Sequence, residues 1–246
     1  MKRIWRRLTI AVVGLAALAL AGGIVWLSRP QPLLPEAEAA LHSTEVVTFT
    51  QSDGGLSFVP VSPSLTSGLI FYPGGKVEPA AYAPAAAEIA AQGFAVFIVP
   101  MPLNLAVFGI DRAAEVQAAH PEIARWAVGG HSLGGAMAAE YAARNPGKVQ
   151  GVLFWASYSS ADLSGQPLQV VSIYGTLDAG RDTLTSAEAR ARLPADAVFL
   201  AIEGGNHEQF GYYTGQPNDP PAAVTREEQQ AQAVVAAITL LEAISP

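Results

Sequence analysis

One serine in this sequence stands where serine hydroxyls can be activated for nucleophilic attack. The segment Gly130-His131-Ser132-Leu133-Gly134 fits the pattern G-x-S-x-G. An apolar run precedes it and an Ala-rich run follows, which predicts a strand, a sharp turn and a helix. Such a turn lifts the Ser132 hydroxyl above the sheet and places the Leu133 N–H at a helix N-terminus, where it can donate to an oxyanion. The alternative is a turn whose serine only caps the helix.

A serine hydroxyl needs a base within hydrogen-bond reach, and the chain offers four histidines. His42 lies ahead of the first predicted strand, and His120 ends a predicted helix. His131 is the sequence neighbour of Ser132, so its side chain is expected to point away from that serine. His207 follows the last predicted strand, at the carboxyl end of the sheet. The sequence therefore predicts His207 as the base, against the alternative of a solvated loop histidine.

The acid that orients such a base has two candidates. Asp178 directly follows a predicted strand, Gln169 to Tyr174, which places it on the same rim of the sheet as the serine and the base. Asp162 follows the preceding strand and is the runner-up. Glu203 and Glu208 are weaker candidates, and Glu208 adjoins the base too closely to face its Nδ1 atom. We expect Asp178 to be the acid, with Asp162 left open.

A second oxyanion donor is expected after the strand Leu69 to Tyr72. The loop there reads Pro73-Gly74-Gly75-Lys76. Glycines at this turn let a backbone N–H approach the substrate oxygen closely. We assign Gly75, with its neighbour Lys76 as the alternative donor.

The elements that must position these residues alternate between apolar strands and helices from residue 68 onward. This alternation predicts an α/β fold with a parallel sheet covered by helices on both faces. Ahead of it, two short strands around Asp53-Gly54-Gly55 predict an antiparallel hairpin at a sheet edge. The predicted strands are Glu45 to Thr50, Leu56 to Pro60, Leu69 to Tyr72, Phe94 to Val99, the strand just before Ser132, Gln150 to Ala156, Gln169 to Tyr174 and Ala197 to Ile202. The predicted helices are Pro79 to Gln92, Asp111 to Ala119, the helix that follows Ser132 and ends near Asn145, Ser186 to Leu193 and Thr225 to Ala243.

Four motifs together resemble the α/β-hydrolase superfamily, especially its compact esterase and dienelactone-hydrolase-like members. They are Phe71-Tyr72-Pro73-Gly74-Gly75, Gly130-His131-Ser132-Leu133-Gly134-Gly135, Tyr174-Gly175-Thr176-Leu177-Asp178 and Gly205-Asn206-His207. The resemblance implies an eight-stranded, mostly parallel sheet and Ser-His-Asp catalysis through an acyl-enzyme, without metal or cofactor. Two departures stand out: Pro73 occupies a position where many members have histidine, and Ser132 one where dienelactone hydrolases have cysteine.

The N-terminus carries a different signal. Leu8 to Leu27 contains no charged residue and follows Lys2, Arg3, Arg6 and Arg7, which predicts a transmembrane signal anchor over residues 1–28. Cleavage after Ala19-Leu20-Ala21 is the alternative. Pro-rich residues 29–44 predict a stiff spacer, and residues 45–246 the catalytic domain. Either alternative places that domain outside the cytoplasm, held at the cell membrane by a single pass or secreted.

The amino-acid composition excludes several classes of function. The chain lacks cysteine, which excludes a thiolate nucleophile and disulfides. Beyond residue 29 it carries nine basic and 21 acidic residues, a balance that argues against nucleic acid as a partner.

The predicted function is hydrolysis of a small-molecule carboxylic ester. Short acyl chains are expected, because Ser157 to Leu168 is too short and polar to form a cap domain and the apolar loop Met101 to Phe108 can line only one wall. The alternatives are a peptidase, amidase or acyltransferase on the same residues, or a non-catalytic binding module.

Overall fold

A single sheet of eight strands organises the chain. A computed structural model of the protein describes residues 2–61 and 67–245. The strands are β1 (Val47–Ser52), β2 (Gly55–Pro60), β3 (Ser67–Tyr72), β4 (Ala95–Ile98), β5 (Arg125–His131), β6 (Gly151–Trp155), β7 (Gln169–Gly175) and β8 (Val198–Ile202). They lie in the order β1-β2-β4-β3-β5-β6-β7-β8. Strands β3 to β8 run parallel to one another, and β2 runs antiparallel to both of its neighbours, β1 and β4.

Helices cover both faces of this sheet. The α-helices of the described chain are α1 (Lys2–Ser28), α2 (Pro35–Ala39), α3 (Ala83–Ala91), α4 (Arg112–Ala119), α5 (Leu133–Arg144), α6 (Arg181–Leu184), α7 (Ala187–Ala191) and α8 (Arg226–Ile244). Helices α3 and α8 supply small and aliphatic residues to one core, and α4 and α5 supply them to the other. Strands β3, β4 and β6 are buried along their whole length, which explains their continuous apolar runs.

The sheet confirms the predicted α/β-hydrolase fold, with the edge hairpin and the parallel order as expected. Two helical predictions differ in detail. The helix predicted from Pro79 begins as a 3₁₀ turn, Pro79–Tyr82, and α3 restarts at Ala83 because Pro84 lacks the N–H needed to continue a regular helix. A short helix, α6, precedes α7 where no helix was predicted.

Residues 156–168 are all described and contain no helix or strand, so no cap is inserted there.

The membrane prediction for the N-terminus is not supported. Residues 8–27 do form most of α1. Within the described residues, however, no helix combines the length and the apolarity that a membrane span requires.

The segment that follows α1 is not a free spacer. Residues 29–41, termed the strap below, pack along the domain and include the short helix α2. Ala37 is fully buried, and Leu33 and Leu41 pack against the core that α3 and α8 share. The prolines that suggested stiffness therefore lie in a segment held by contacts with the rest of the chain.

Candidate active site

Ser132 sits on a strained turn between β5 and α5. Its backbone angles are φ 53° and ψ −123°, a conformation that residues with a Cβ rarely adopt. The Ser132 N–H donates to the Trp155 carbonyl at 3.0 Å, and the Ser157 hydroxyl donates to the Ser132 carbonyl at 2.6 Å. Gly134 is needed because a Cβ there would collide with the backbone carbonyl of Tyr72. Strand β5, the turn at Ser132 and helix α5 thus form the strand, sharp turn and helix that the sequence predicts.

Asp178 and His207 meet at the carboxyl end of the sheet. His207 Nδ1 lies 2.8 Å from Asp178 Oδ2, and only 1% of the Asp178 side chain is exposed. The other carboxylate oxygen, Oδ1, accepts the Gly180 N–H at 2.6 Å. This N–H fixes which oxygen faces the imidazole, so Asp178 can hold one tautomer of His207.

Ser132 and His207 line the same cavity. Within the described residues, the Ser132 hydroxyl has no hydrogen bond to His207. Such bonds are often long before substrate binds, so the arrangement still allows His207 to accept the serine proton.

The other acids considered from sequence are engaged elsewhere. Asp162 accepts the N–H and hydroxyl of Ser164, which lower its pKa, and it is fully exposed to solvent. Glu203 accepts the Thr176 hydroxyl, and Glu208 pairs with Arg226 at 3.4 Å. None of these carboxylates bonds to His207 among the described residues.

Two backbone N–H groups stand beside Ser132 with no acceptor in the described part of the chain, those of Leu133 and Gly75. A Cβ on Gly75 would lie 3.4 Å from Leu133 Cδ2, so the two residues are in contact range. The Lys76 N–H is instead bonded to the Asn104 carbonyl at 2.8 Å. This geometry favours Gly75 over Lys76 as the second oxyanion donor.

The loop that carries His207, residues 203–216, is held from two directions. Asp219 accepts the N–H groups of His207 and Glu208, at 3.1 and 2.7 Å. Burial raises the pKa of Asp219, and those two donors oppose the rise. Gln229 on α8 exchanges two hydrogen bonds with the Asn206 backbone, at 3.0 and 2.7 Å. His207 therefore sits on a fixed backbone.

The strap joins this base loop to the oxyanion loop, residues 73–76. Gln31 donates its N–H to the Lys76 carbonyl at 2.8 Å and its side-chain amide to the Gly215 carbonyl at 3.0 Å. Leu33 forms an antiparallel bridge with Tyr213. A segment near the N-terminus therefore spans both loops of the site.

The cavity above Ser132 has a volume of about 460 Å³, within the usual range for small-molecule sites. Its apolar lining includes Ala136, Ala156 and Leu184, and Asp219 lies at its rim. The expectation that Met101 to Phe108 forms a wall is not met. The cavity is lined instead by residues 156–158, by Thr183 and Leu184 of α6, and by Gln216, Pro217 and Asp219. Helix α6 has only four residues, too few for a periodic apolar pattern that sequence reading could detect.

His131 does point away from Ser132, into a buried position behind His207, with the two ring centres 4.5 Å apart. His120 pairs with Glu122 at 2.9 Å, and His42 is exposed. Across the described residues, no group of three or more His, Asp or Glu side chains is placed to hold a metal ion.

Comparison with known proteins agrees with this fold. The family model described as "Alpha/beta hydrolase family" matches residues 68–231, so the chain belongs to the alpha/beta hydrolase family. Among solved structures, a predicted CIB-like hydrolase from Thermoplasma acidophilum is similar, with a TM-score of 0.55 and 17% identity. The match covers 79% of this chain and 98% of that one. Curated protein sequences gave no significant match. The protein is thus a hydrolase by family, and the structural likeness bears on the fold alone.

Proposed function

We propose that this hydrolase cleaves small carboxylic esters, with Ser132 as nucleophile, His207 as base and Asp178 as the acid that orients it. The observation that carries the proposal is the 2.8 Å bond from His207 Nδ1 to the buried Asp178, beside the cavity that Ser132 also lines. In the first step, Ser132 Oγ attacks the ester carbonyl while His207 Nε2 takes its proton. The carbonyl oxygen becomes an oxyanion that accepts from the Leu133 and Gly75 N–H groups.

Collapse of this tetrahedral intermediate expels the alcohol, which takes the proton from His207. An acyl group then remains on Ser132. Water repeats the sequence, releasing the acid and returning the proton to Ser132. Each oxyanion donor is expected to contribute about 3 kcal/mol of transition-state stabilisation. The residues named supply every proton transfer in this cycle.

The form of the cavity favours esters with short acyl chains. No cap is inserted in residues 156–168, all of which the structure describes, and Thr183 and Gln216 add polar groups to the walls of the cavity. A methylene contributes about 0.8 kcal/mol only when it is buried. Chains that extend beyond the cavity gain little, so we propose acetates and butyrates as good substrates, with activity falling beyond about eight carbons.

The test is kcat/KM over a p-nitrophenyl ester series from acetate to palmitate, with Ser132→Ala as the blank and Ser164→Ala as a matched serine control outside the cavity. Labelling with a fluorophosphonate probe should follow the same pattern. A maximum at palmitate would refute the acyl preference. Equal activity of the Ser132→Ala variant would refute the assigned nucleophile.

Hydrolysis of anilides but not of esters would favour an amidase, and transfer of the acyl group to an added alcohol would favour an acyltransferase. Binding of esters without turnover would favour a binding module. Placement of the domain outside the cytoplasm stays a prediction, which protease accessibility in intact and permeabilised cells would test.

A further inference from the structure

A second histidine, His131, lies against the proposed base and takes no part in the reaction described above. It is buried, with 1% of its surface exposed, and does not line the cavity. Its ring centre is 4.5 Å from that of His207 and 5.9 Å from that of Phe210, on which it stacks. His131 therefore cannot touch a substrate in the cavity, yet it contacts the group that would move the proton.

Tyr82 joins His131 to the oxyanion loop. The Tyr82 hydroxyl lies 2.9 Å from His131 Nδ1 and accepts the Gly74 N–H at 2.9 Å. A tyrosine hydroxyl has one proton, and with Gly74 donating to its oxygen that proton is available for Nδ1. The loop approaches so closely that a Cβ on Gly74 would lie 2.8 Å from His131 Nδ1. One hydroxyl thus links the residue before Gly75 to the ring behind His207.

The linked groups are uncharged. Burial holds the pKa of His131 well below its ordinary value, and its nearness to His207 adds to this effect. Burial raises the pKa of Tyr82 and of Tyr213, the two tyrosines packed near the His131 ring. A neutral His131 that accepts from Tyr82 carries its proton on Nε2, and the ring also interacts with the His207 backbone.

We propose that His131 and Tyr82 are positioning residues for catalysis. They keep the oxyanion loop at a fixed position relative to His207, so that the Gly75 N–H and the His207 imidazole act on the same transition state. This inference rests on the proposed function, since it assigns a role toward that same oxyanion and base. Neither side chain lines the cavity, so their removal should affect the transition state and leave substrate binding unchanged.

The experiment compares Tyr82→Phe, His131→Phe and the double variant, with p-nitrophenyl acetate as substrate. Active sites are titrated with a fluorophosphonate, so that kcat is expressed per folded site. We expect Tyr82→Phe to lower kcat per site about tenfold with KM unchanged, because one buried hydrogen bond is lost. The inhibition constant of a short trifluoromethyl ketone, which mimics the tetrahedral intermediate, should rise by the same factor.

Tyr141→Phe is the matched control. Tyr141 is also buried and donates its hydroxyl to Gln117 at 2.6 Å, in the core that α4 and α5 share. It should keep kcat per site. The double variant should lose no more than the worse single variant, because both residues act through one bond.

Unchanged kcat per site in Tyr82→Phe would overturn the inference, as would equal losses in Tyr141→Phe or additive losses in the double variant. If His131→Phe does not fold, the Tyr82→Phe comparison decides alone. A wild-type protein that is neither labelled nor active would instead refute the proposed function.

Discussion

Replacement of Asp178 by asparagine tests the proposed mechanism most directly, because the surroundings of Asp178 fix how the new amide must sit. The Gly180 N–H donates to the Oδ1 position at 2.6 Å and therefore requires an oxygen there. The amide nitrogen of Asn must then take the Oδ2 position, 2.8 Å from His207 Nδ1. An NH₂ group at that place donates to Nδ1 and forces the imidazole proton onto Nε2. In that tautomer His207 cannot accept a proton from Ser132.

We expect Asp178→Asn to lower kcat by roughly 10⁴-fold, as the same change does in other Ser-His-Asp enzymes, which is about 5.5 kcal/mol of lost transition-state stabilisation. KM should change little, because the tautomer affects the transition state more than substrate binding. The assay is p-nitrophenyl acetate hydrolysis per titrated active site, with thermal unfolding measured in parallel to show that the variant is folded.

Asp162→Asn is the matched control. Asp162 is exposed and bonds only to Ser164 within the described residues, so the variant should stay within about twofold of wild type. A loss in Asp178→Asn of less than about tenfold would refute the tautomer argument. A large loss in Asp162→Asn with an active Asp178→Asn would move the acid to the earlier loop.

Two further substitutions test the geometry around Ser132. Gly134→Ala should abolish folding or activity, because the added Cβ collides with the Tyr72 carbonyl, whereas Gly165→Ala, which has open space around it, should behave as wild type in yield and kcat. Gln31→Pro removes the N–H that donates to the Lys76 carbonyl and should lower kcat about fivefold, while Gln31→Ala keeps that N–H and should lose less. A fully active Gly134→Ala, or equal activity of the two Gln31 variants, would contradict these arguments.

Most of the fold could be predicted from the sequence because buried parallel strands leave an unmistakable pattern. The segments around Ile70, Val96 and Leu153 are apolar along their whole length, and all three are buried on both sides in the sheet. Helix α6 was missed because four residues show no period. The packing of the strap was missed because its hydrogen bonds are mostly between backbone groups, which any side chain can supply.

The residues of the candidate site could be predicted from the sequence where the order of strands in the sheet alone decides their position. Ser132, Asp178 and His207 each follow a strand of a parallel sheet, and the structure places all three beside one cavity. The walls of that cavity were not predictable, because they depend on how loops lean over the sheet. Thr183 and Asp219 line the cavity although neither belongs to a recognisable motif. The sequence shows only that His131 adjoins Ser132. Its contact with His207 depends on how the base loop folds toward the end of β5, which the sequence does not reveal.

The catalytic domain is predicted to begin at residue 45, but the strap, which lies ahead of that residue, contacts both loops of the candidate site. The oxyanion loop follows β3 and the base loop follows β8, so the oxyanion donor and the base that we propose are held by distant parts of the chain. On the inner side Tyr82 and His131 connect them, and on the outer side Gln31 bonds to Lys76 in one loop and to Gly215 in the other. An oxyanion donor is effective only when it is already in place as charge develops. Residues ahead of the sheet therefore belong to the physical unit that fixes this geometry, although they contribute no strand and no reacting group.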